Sequence, residues 1–381
     1  MQWLARMSLL SSFVLFAGEG WADSLQQNFS AHASEEYVTN PLLNPAFQGL
    51  SGWRSTVEPN YILTDTLGAD ELKASLDLLL VRSSNTSIIA DGDYPTATLG
   101  WNRLQDKGKF GISTSYSVAP TLVAAPSTVG LVSANSSMTS RNLSADLTRE
   151  LSERTTLTLN GAYSNIAFNG SGNTASLMDY ASQSGGLKLN YVLGEHTATF
   201  VNLSYLGFVP SGGAPTSSIY NAWLGLNWNA TERLDWILQG GPSRLESAGV
   251  AGAGAGSGAG TSTSLQGGVT MNYKGQLSGL ILNANRQSTP SGLGAIIIID
   301  QANGSLSYDL GERSKTGIDL GWSKYNYVSG DLSRTAGAWL RHDFNPSWWM
   351  KAYVNHITNV WGGLNPALSN TIGFSITYTN F

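Results

Sequence analysis

The sequence predicts an all-β chain folded as a transmembrane antiparallel β-barrel of about 18 strands, with 16 as the alternative count. Three observations predict it. Short segments alternate apolar and polar residues along most of the chain. The connections between them alternate between short turns and longer, varied loops. The composition is far poorer in charge than a soluble protein of this length allows.

Composition sets the bounds. The chain has 381 residues, whereas single soluble cores usually split into domains beyond roughly 250–300 residues. A membrane barrel escapes that limit because its apolar surface faces lipid. Charged residues make up 12%, against about 25% in soluble domains. Gly is abundant at 43, with 12 Trp and 15 Tyr. Aromatics suit the two lipid–water interfaces and small residues suit turns and crowded lumens. The net charge of −5 and the lack of a long basic run argue against nucleic acid as a partner. With no Cys there is no disulfide framework, thiolate metal site or Cys nucleophile.

From the N-terminus, residues 1–22 read as a signal peptide. Arg6 supplies the positive region, Met7 to Ala17 the short apolar region, and Gly20-Trp21-Ala22 a small-x-small cleavage site. Residues 23–34 read as a flexible tail and residues 35–381 as the barrel. Glu35 to Pro41 gives a short first strand. Trp53 to Thr64 gives the next, with Pro59 marking an expected bulge. Leu72, Ala74, Leu76, Leu78 and Leu80 then face one way, and Lys73, Ser75 and Asp77 the other. Thr96, Thr98 and Asn102 oppose Leu99 and Trp101, and Leu143, Ala145 and Leu147 oppose Ser144, Asp146 and Thr148. The same period returns around Asn160, Lys188, Asn202, Asn227, Asn272, Asp319 and Lys351. It ends with Ile372, Phe374, Ile376 and Tyr378 against Thr371, Gly373, Ser375 and Thr377. A polar face of Asn, Ser and Thr with sparse charges of both signs suits a wet interior. A dry sandwich core would not carry it.

The connections are equally informative. Leu151-Ser152-Glu153-Arg154, Leu193-Gly194-Glu195-His196, Ala230-Thr231-Glu232-Arg233 and Leu310-Gly311-Glu312-Arg313 are variants of one short turn. Between them lie longer segments near residues 83–95, 118–138, 169–185, 210–217, 247–262, 289–298 and 358–368. Ala248 to Gly260 is low-complexity Gly/Ala and reads as a mobile loop. Ile296 to Ile299 either caps a strand outside or folds into the lumen. Trp348 and Trp349 sit where an interfacial girdle belongs.

This ensemble of leader, alternating strands, short turns and terminal Phe381 resembles the outer-membrane β-barrels of Gram-negative bacteria. The Tyr37-x-x-Asn40-Pro41 opening and the Leu-Ser-Glu-Arg turns more narrowly resemble uncharacterised proteobacterial barrels found with envelope or exopolysaccharide systems. The resemblance implies an outer-membrane location and partners in membrane lipid, lipopolysaccharide and the barrel-assembly machinery, which would read Phe381 and Tyr378. In that family apolar residues stand at odd positions counted back from the last Phe. Here those positions hold Thr379, Thr377 and Ser375; a bulge near Thr379-Asn380 would bring the apolar set into that register, and without one the match of Phe381 to the signal is weaker.

Chemistry-bearing clusters are few. His342 beside Asp343, with Ser347 nearby, is the one arrangement that suggests an Asp–His base, and a wall position is the simpler reading. Asp91-Gly92-Asp93 offers too few oxygens for Ca²⁺ and reads as a turn. No metal site, cofactor or catalytic residue is expected. The candidate lumen-lining residues are Lys73, Asp77, Asp146, Lys188, Asp235, Asp319, Arg341 and Lys351, with Asn160, Asn190, Asn202, Asn227, Asn272 and Asn355. They support a porin-like channel for small polar or saccharide solutes, polysaccharide export included. The alternative is a non-conducting structural or interaction barrel, an envelope scaffold or adhesin.

Overall fold

The computed structural model describes residues 25–43, 49–121, 136–169, 177–248, 260–326, 331–360 and 365–380. The leader, most of the Gly/Ala run and Phe381 lie outside the described residues. The strands are β1 (Leu25–Thr39), β2 (Ser51–Leu67), β3 (Asp70–Ser83), β4 (Gly92–Gln105), β5 (Gly108–Pro120) and β6 (Ser137–Ser152). Next come β7 (Thr155–Asn169), β8 (Tyr180–Gly194), β9 (Thr197–Pro210), β10 (Ser217–Thr231), β11 (Leu234–Ser247) and β12 (Gly260–Lys274). The last are β13 (Ser278–Pro290), β14 (Ile296–Asp309), β15 (Ser314–Asn326), β16 (Asp331–Asn345), β17 (Trp348–Val360) and β18 (Ala367–Thr379).

These form one 18-stranded antiparallel sheet among the described residues, each strand pairing with its neighbours in sequence. β1 pairs with β18 from Ser30↔Thr379 to Val38↔Thr371, which closes the barrel and leaves no edge. Short turns follow the even-numbered strands, so both chain ends of the barrel fall on the short-turn side. Register shifts of one residue sit beside these turns, at Glu150/Ser152, Val192/Gly194, Asn229/Thr231 and Asp343/Asn345. Bulges there tighten the twist where the chain reverses.

Four expectations need correction. The wall begins at Leu25, not Glu35: residues 25–34 pair with β2 along their length, and Ser30 onward also with β18. Their outward positions include Gln27, Ala31 and Ala33, too small or polar to give a visible apolar period. Pro59 makes no bulge. It stands opposite Ala31 in regular register, and the β2–β3 ladder skips from Val57↔Leu80 to Asn60↔Asp77 without a shift. A residue with no N–H removes bonds without displacing the strand. No bulge occurs through Thr379 either, because the β1–β18 and β17–β18 registers run unbroken. Finally, the paired Trp348 and Trp349 do not share the girdle, as described below.

Residues directly opposite one another share a face, so the registers sort every strand into an inner and an outer face. One face carries exposed Leu72, Leu76, Leu143, Leu187, Leu203, Leu224, Leu320, Ile372 and Phe374. The other carries buried Tyr180, Phe208, Ile219, Ile297, Ser375 and Thr377. Burial on one face of a closed sheet makes that face the inside. The outer apolar band ends towards the short turns in a cluster of Trp348, Tyr378 and Phe29. Their ring centroids stand 4.9 Å apart for Trp348–Tyr378 and 6.3 Å for Phe29–Tyr378. That is an interfacial girdle, and it includes Trp348 alone of the Trp pair. Trp349 turns inward against Arg341 and His32.

Candidate functional site: the inner face of the barrel

The registers put every expected lining residue on the inner face. Lys351 pairs with Ser375 and Arg341, and Asn355 with Thr371. Asp319 is opposite Gly337, itself opposite Asn355. Asp146, Asn160, Gly186 and Ser204 form one continuous row, and Lys188 joins Thr158 to Asn202. Asn190 pairs with Phe200, Asn227 with Ile237, and Asp235 with both Asn229 and Asn272. Lys73 and Asp77 face inward from β3, opposite Thr64 and Asn60.

Most of these side chains lie along the wall, held by neighbours. Asp319 accepts a hydrogen bond from Ser305 Oγ at 2.6 Å. Arg341 Nε donates to Asp343 Oδ1 at 2.6 Å, and its guanidinium covers the Trp349 ring at 4.3 Å. Lys188 Nζ stands 4.2 Å over Phe200. Lys351 Nζ stands 5.1 Å over Trp339 and 5.9 Å over Tyr353. Asp77 accepts from Asn60 Nδ2 at 3.4 Å, with the Glu58 carboxyl close by. The inner face also holds residues outside the expected set. Glu36 binds Arg54, whose Nε donates to it at 2.7 Å and whose Nη2 donates as well, and it also accepts from the Tyr353 hydroxyl.

Glycine explains how the side chains lie flat. A Cβ at Gly111 would stand 2.6 Å from Asp146 Oδ1, and one at Gly186 2.5 Å from Asn160 Oδ1. At Gly373 it would stand 2.8 Å from the Tyr353 ring and 2.9 Å from Glu36 Cγ. Each of these glycines is a shallow well that receives a neighbour's side chain and keeps it out of the lumen. Part of the high Gly content is therefore wall architecture, a role that no sequence pattern reveals.

At the long-loop end the inner face changes character. Met138, Ile166, Tyr180 and Phe208 form a buried apolar cluster from β6 to β9. Ile296, at the start of β14, packs against it. β14 is not a neighbour of those strands in the sheet, so this contact crosses the mouth. The connection 291–295 leads the chain there, and Met178 N donates to Gly292 O at 2.7 Å. Ile297 and Ile299 face inward and are buried with Tyr325. Ile296, Ile297 and Ile299 thus fold into the mouth, while Ile298 shares the outward face of Asp300. A further cluster of Val81, Ile88, Ile89 and Tyr94 lines the mouth at β3 and β4.

His342 and Asp343 do not join as an Asp–His base; as neighbours on one strand they face opposite sides of the wall. His342 Nδ1 meets Ser314 Oγ at 2.9 Å, while Asp343 is engaged by Arg341. In Asp91-Gly92-Asp93, Asp91 accepts from the Ser83 backbone N–H at 2.8 Å and Asp93 pairs with Arg82 at 2.8 Å. The two carboxylates serve different partners, as a turn requires.

The fold is shared with solved outer-membrane proteins. OccAB4 of Acinetobacter baumannii matches at TM-score 0.52 and 9% identity, over 94% of this chain and 99% of that one. The outer membrane protein OpdK of Pseudomonas aeruginosa matches at TM-score 0.51 and 11% identity, over 93% and 99%. OpdL of the same species matches at TM-score 0.50 and 12% identity, over 93% and 98%. No protein-family model matches the chain, and no curated protein matches it. The chain has the fold of a Gram-negative outer-membrane β-barrel.

Proposed function

We propose that the chain is a porin-like channel of the outer membrane that passes small polar or saccharide solutes. The observation that carries this reading is the closed 18-stranded wall with a polar inner face. A barrel of this size encloses more space than its wall side chains fill. The glycine wells support the reading, because they hold Tyr353, Asp146 and Asn160 against the wall. Asn and Ser rows offer hydrogen bonds to neutral solutes, and charges of both signs give weak ion selectivity. Insertion by the barrel-assembly machinery belongs to the same reading, as do lipopolysaccharide contacts.

One observation favours the alternative, a non-conducting structural or interaction barrel of the envelope, associated with exopolysaccharide systems. The mouth is narrowed by apolar contacts that run from β14 to the β6–β9 wall. Single-channel current through the refolded protein in a planar bilayer decides between them. Stable stepwise conductance, blocked by sugars, is the expected result. A fully folded barrel without conductance would establish the structural role instead.

A further inference from the structure

The outer face of β13–β18 carries a feature that a channel does not require. Arg286, Asp300 and Lys324 stand opposite one another across β13, β14 and β15. Arg334 of β16 is opposite Trp322, one outward position from Lys324. All four point away from the lumen, at the long-loop end. Below them the same face is apolar: Leu282 and Ala284, Ala302 and Leu306, Trp322 and Leu320, Ala336 and Ala338. The charges therefore begin where the apolar band ends. Arg286 meets Asp300 at 3.5 Å, and Asp300 also accepts from Asn326 at 2.9 Å. Among the described residues Lys324 and Arg334 form no ion pair, and both are exposed. Of the other outward cations at this rim, Arg82 pairs with Asp93 and Arg244 with Glu246, at 2.8 and 2.7 Å; Arg141 of β6 is exposed as well, but it stands apart from any other outward cation.

Directly beneath Arg334 the wall is indented. Ala336 and Ala338 are the floor of a groove of about 560 Å³ on the outer face, walled by Ile318, Val354 and Ile372. His356 stands at its upper end, bonded to Asn370 Oδ1 at 2.8 Å and Thr358 Oγ1 at 3.1 Å. A cationic shelf above an apolar trough matches one kind of occupant: a phosphate head with an acyl chain below it. Phosphate suits clustered Lys and Arg, and the trough suits hydrocarbon.

We infer that Lys324, Arg334 and Arg286, with the Ala336–Ala338 groove, form a binding site for a phosphorylated, acylated glycolipid of the outer leaflet. The phosphate lies on the cations and one acyl chain fills the groove. The site rests on the lipopolysaccharide contacts proposed above and faces lipid, so it is independent of whether the lumen conducts.

Binding of bisphosphorylated lipid A to the refolded protein in detergent, read by native mass spectrometry, tests this. Retention of one lipid is expected, with Lys324→Glu/Arg334→Glu weakening it on the order of tenfold or more. Ala336→Leu/Ala338→Leu should weaken it too, by filling the groove. Dephosphorylated lipid A should bind less, and inorganic phosphate at equal concentration should not displace the lipid. Undiminished binding to the charge-reversed protein, or equal binding of the dephosphorylated lipid, overturns the inference. Heat-modifiable gel mobility confirms that each variant is folded. Should charge reversal disturb folding, Lys324→Gln/Arg334→Gln replaces it. Its lipid binding should then be weaker and less salt-dependent than the wild type's, and an unchanged salt dependence would again overturn the site.

Discussion

Asp319 shows how a single wall charge acts on a solute. It sits on the inner face, where Ser305 Oγ donates to it at 2.6 Å, opposite Gly337, which contributes no side chain. Its carboxylate therefore projects its field into the lumen. Asp319→Lys replaces −1 by +1 there, and the reversal potential in a salt gradient should move towards anion selectivity. An unchanged reversal potential would show that ions do not pass this part of the wall. Gly373 offers a steric counterpart. A Cβ there would meet the Tyr353 ring and the Glu36 side chain first, so Gly373→Ala should swing the ring into the lumen and lower conductance. Tyr353→Ala in the same background should restore it, which a simple folding defect would not do. At this scale the charged and Asn residues of the lining were legible, because strict alternation assigns each strand residue to one face or the other. The Gly373–Tyr353 and Gly186–Asn160 partnerships were not. They depend on cross-strand register, and nothing in a single sequence fixes which residues stand opposite.

The connection between β13 and β14 is the element on which opening depends. Ser291 is fully buried, Ile296 reaches the β6–β9 cluster, and Gly292 O accepts from Met178 N. Replacing residues 291–295 by a two-residue Asn-Gly turn keeps the hairpin connected and removes this bridge. Single-channel conductance should then rise, measured against the parent protein in the same bilayer. No change would place the narrowest point elsewhere along the lumen. The sequence marked this segment as a longer connection and its Ile run as exceptional, yet left open whether the run faced outside or inside. Apolar periodicity cannot separate a lipid-facing residue from one packed across a mouth, since both leave water. The same ambiguity hid the split between Trp348 and Trp349. Adjacent strand residues necessarily point to opposite faces, and a shared aromatic identity conceals that.

Closure governs the whole molecule. A membrane barrel persists because every backbone N–H and C=O in the apolar layer has a partner, and the β1–β18 seam supplies the last of them. The strand count was legible because turns and loops alternate in kind. The start of the seam was not, because Leu25 to Ser34 carries too few large outward residues to show a period. Its place is nonetheless set by pairing: Leu25↔Asp65 through Thr39↔Ser51 on one side, and Ser30↔Thr379 through Val38↔Thr371 on the other. At the base of the seam Asn380 N donates to Phe29 O at 2.9 Å, and His32 Nδ1 meets Thr377 Oγ1 at 2.8 Å. Removing residues 25–34 would strip backbone partners from β2 and β18 at once and expose two edges to lipid, each unsatisfied group costing several kcal/mol. That truncated protein should fail to refold, running in gels at the heat-denatured position without heating. A chain that begins at Leu25 should refold and shift on heating as the parent does. If the protein lacking residues 25–34 still shows the folded, heat-sensitive band, this segment is dispensable to the wall and the seam must close through β2 and β18 alone.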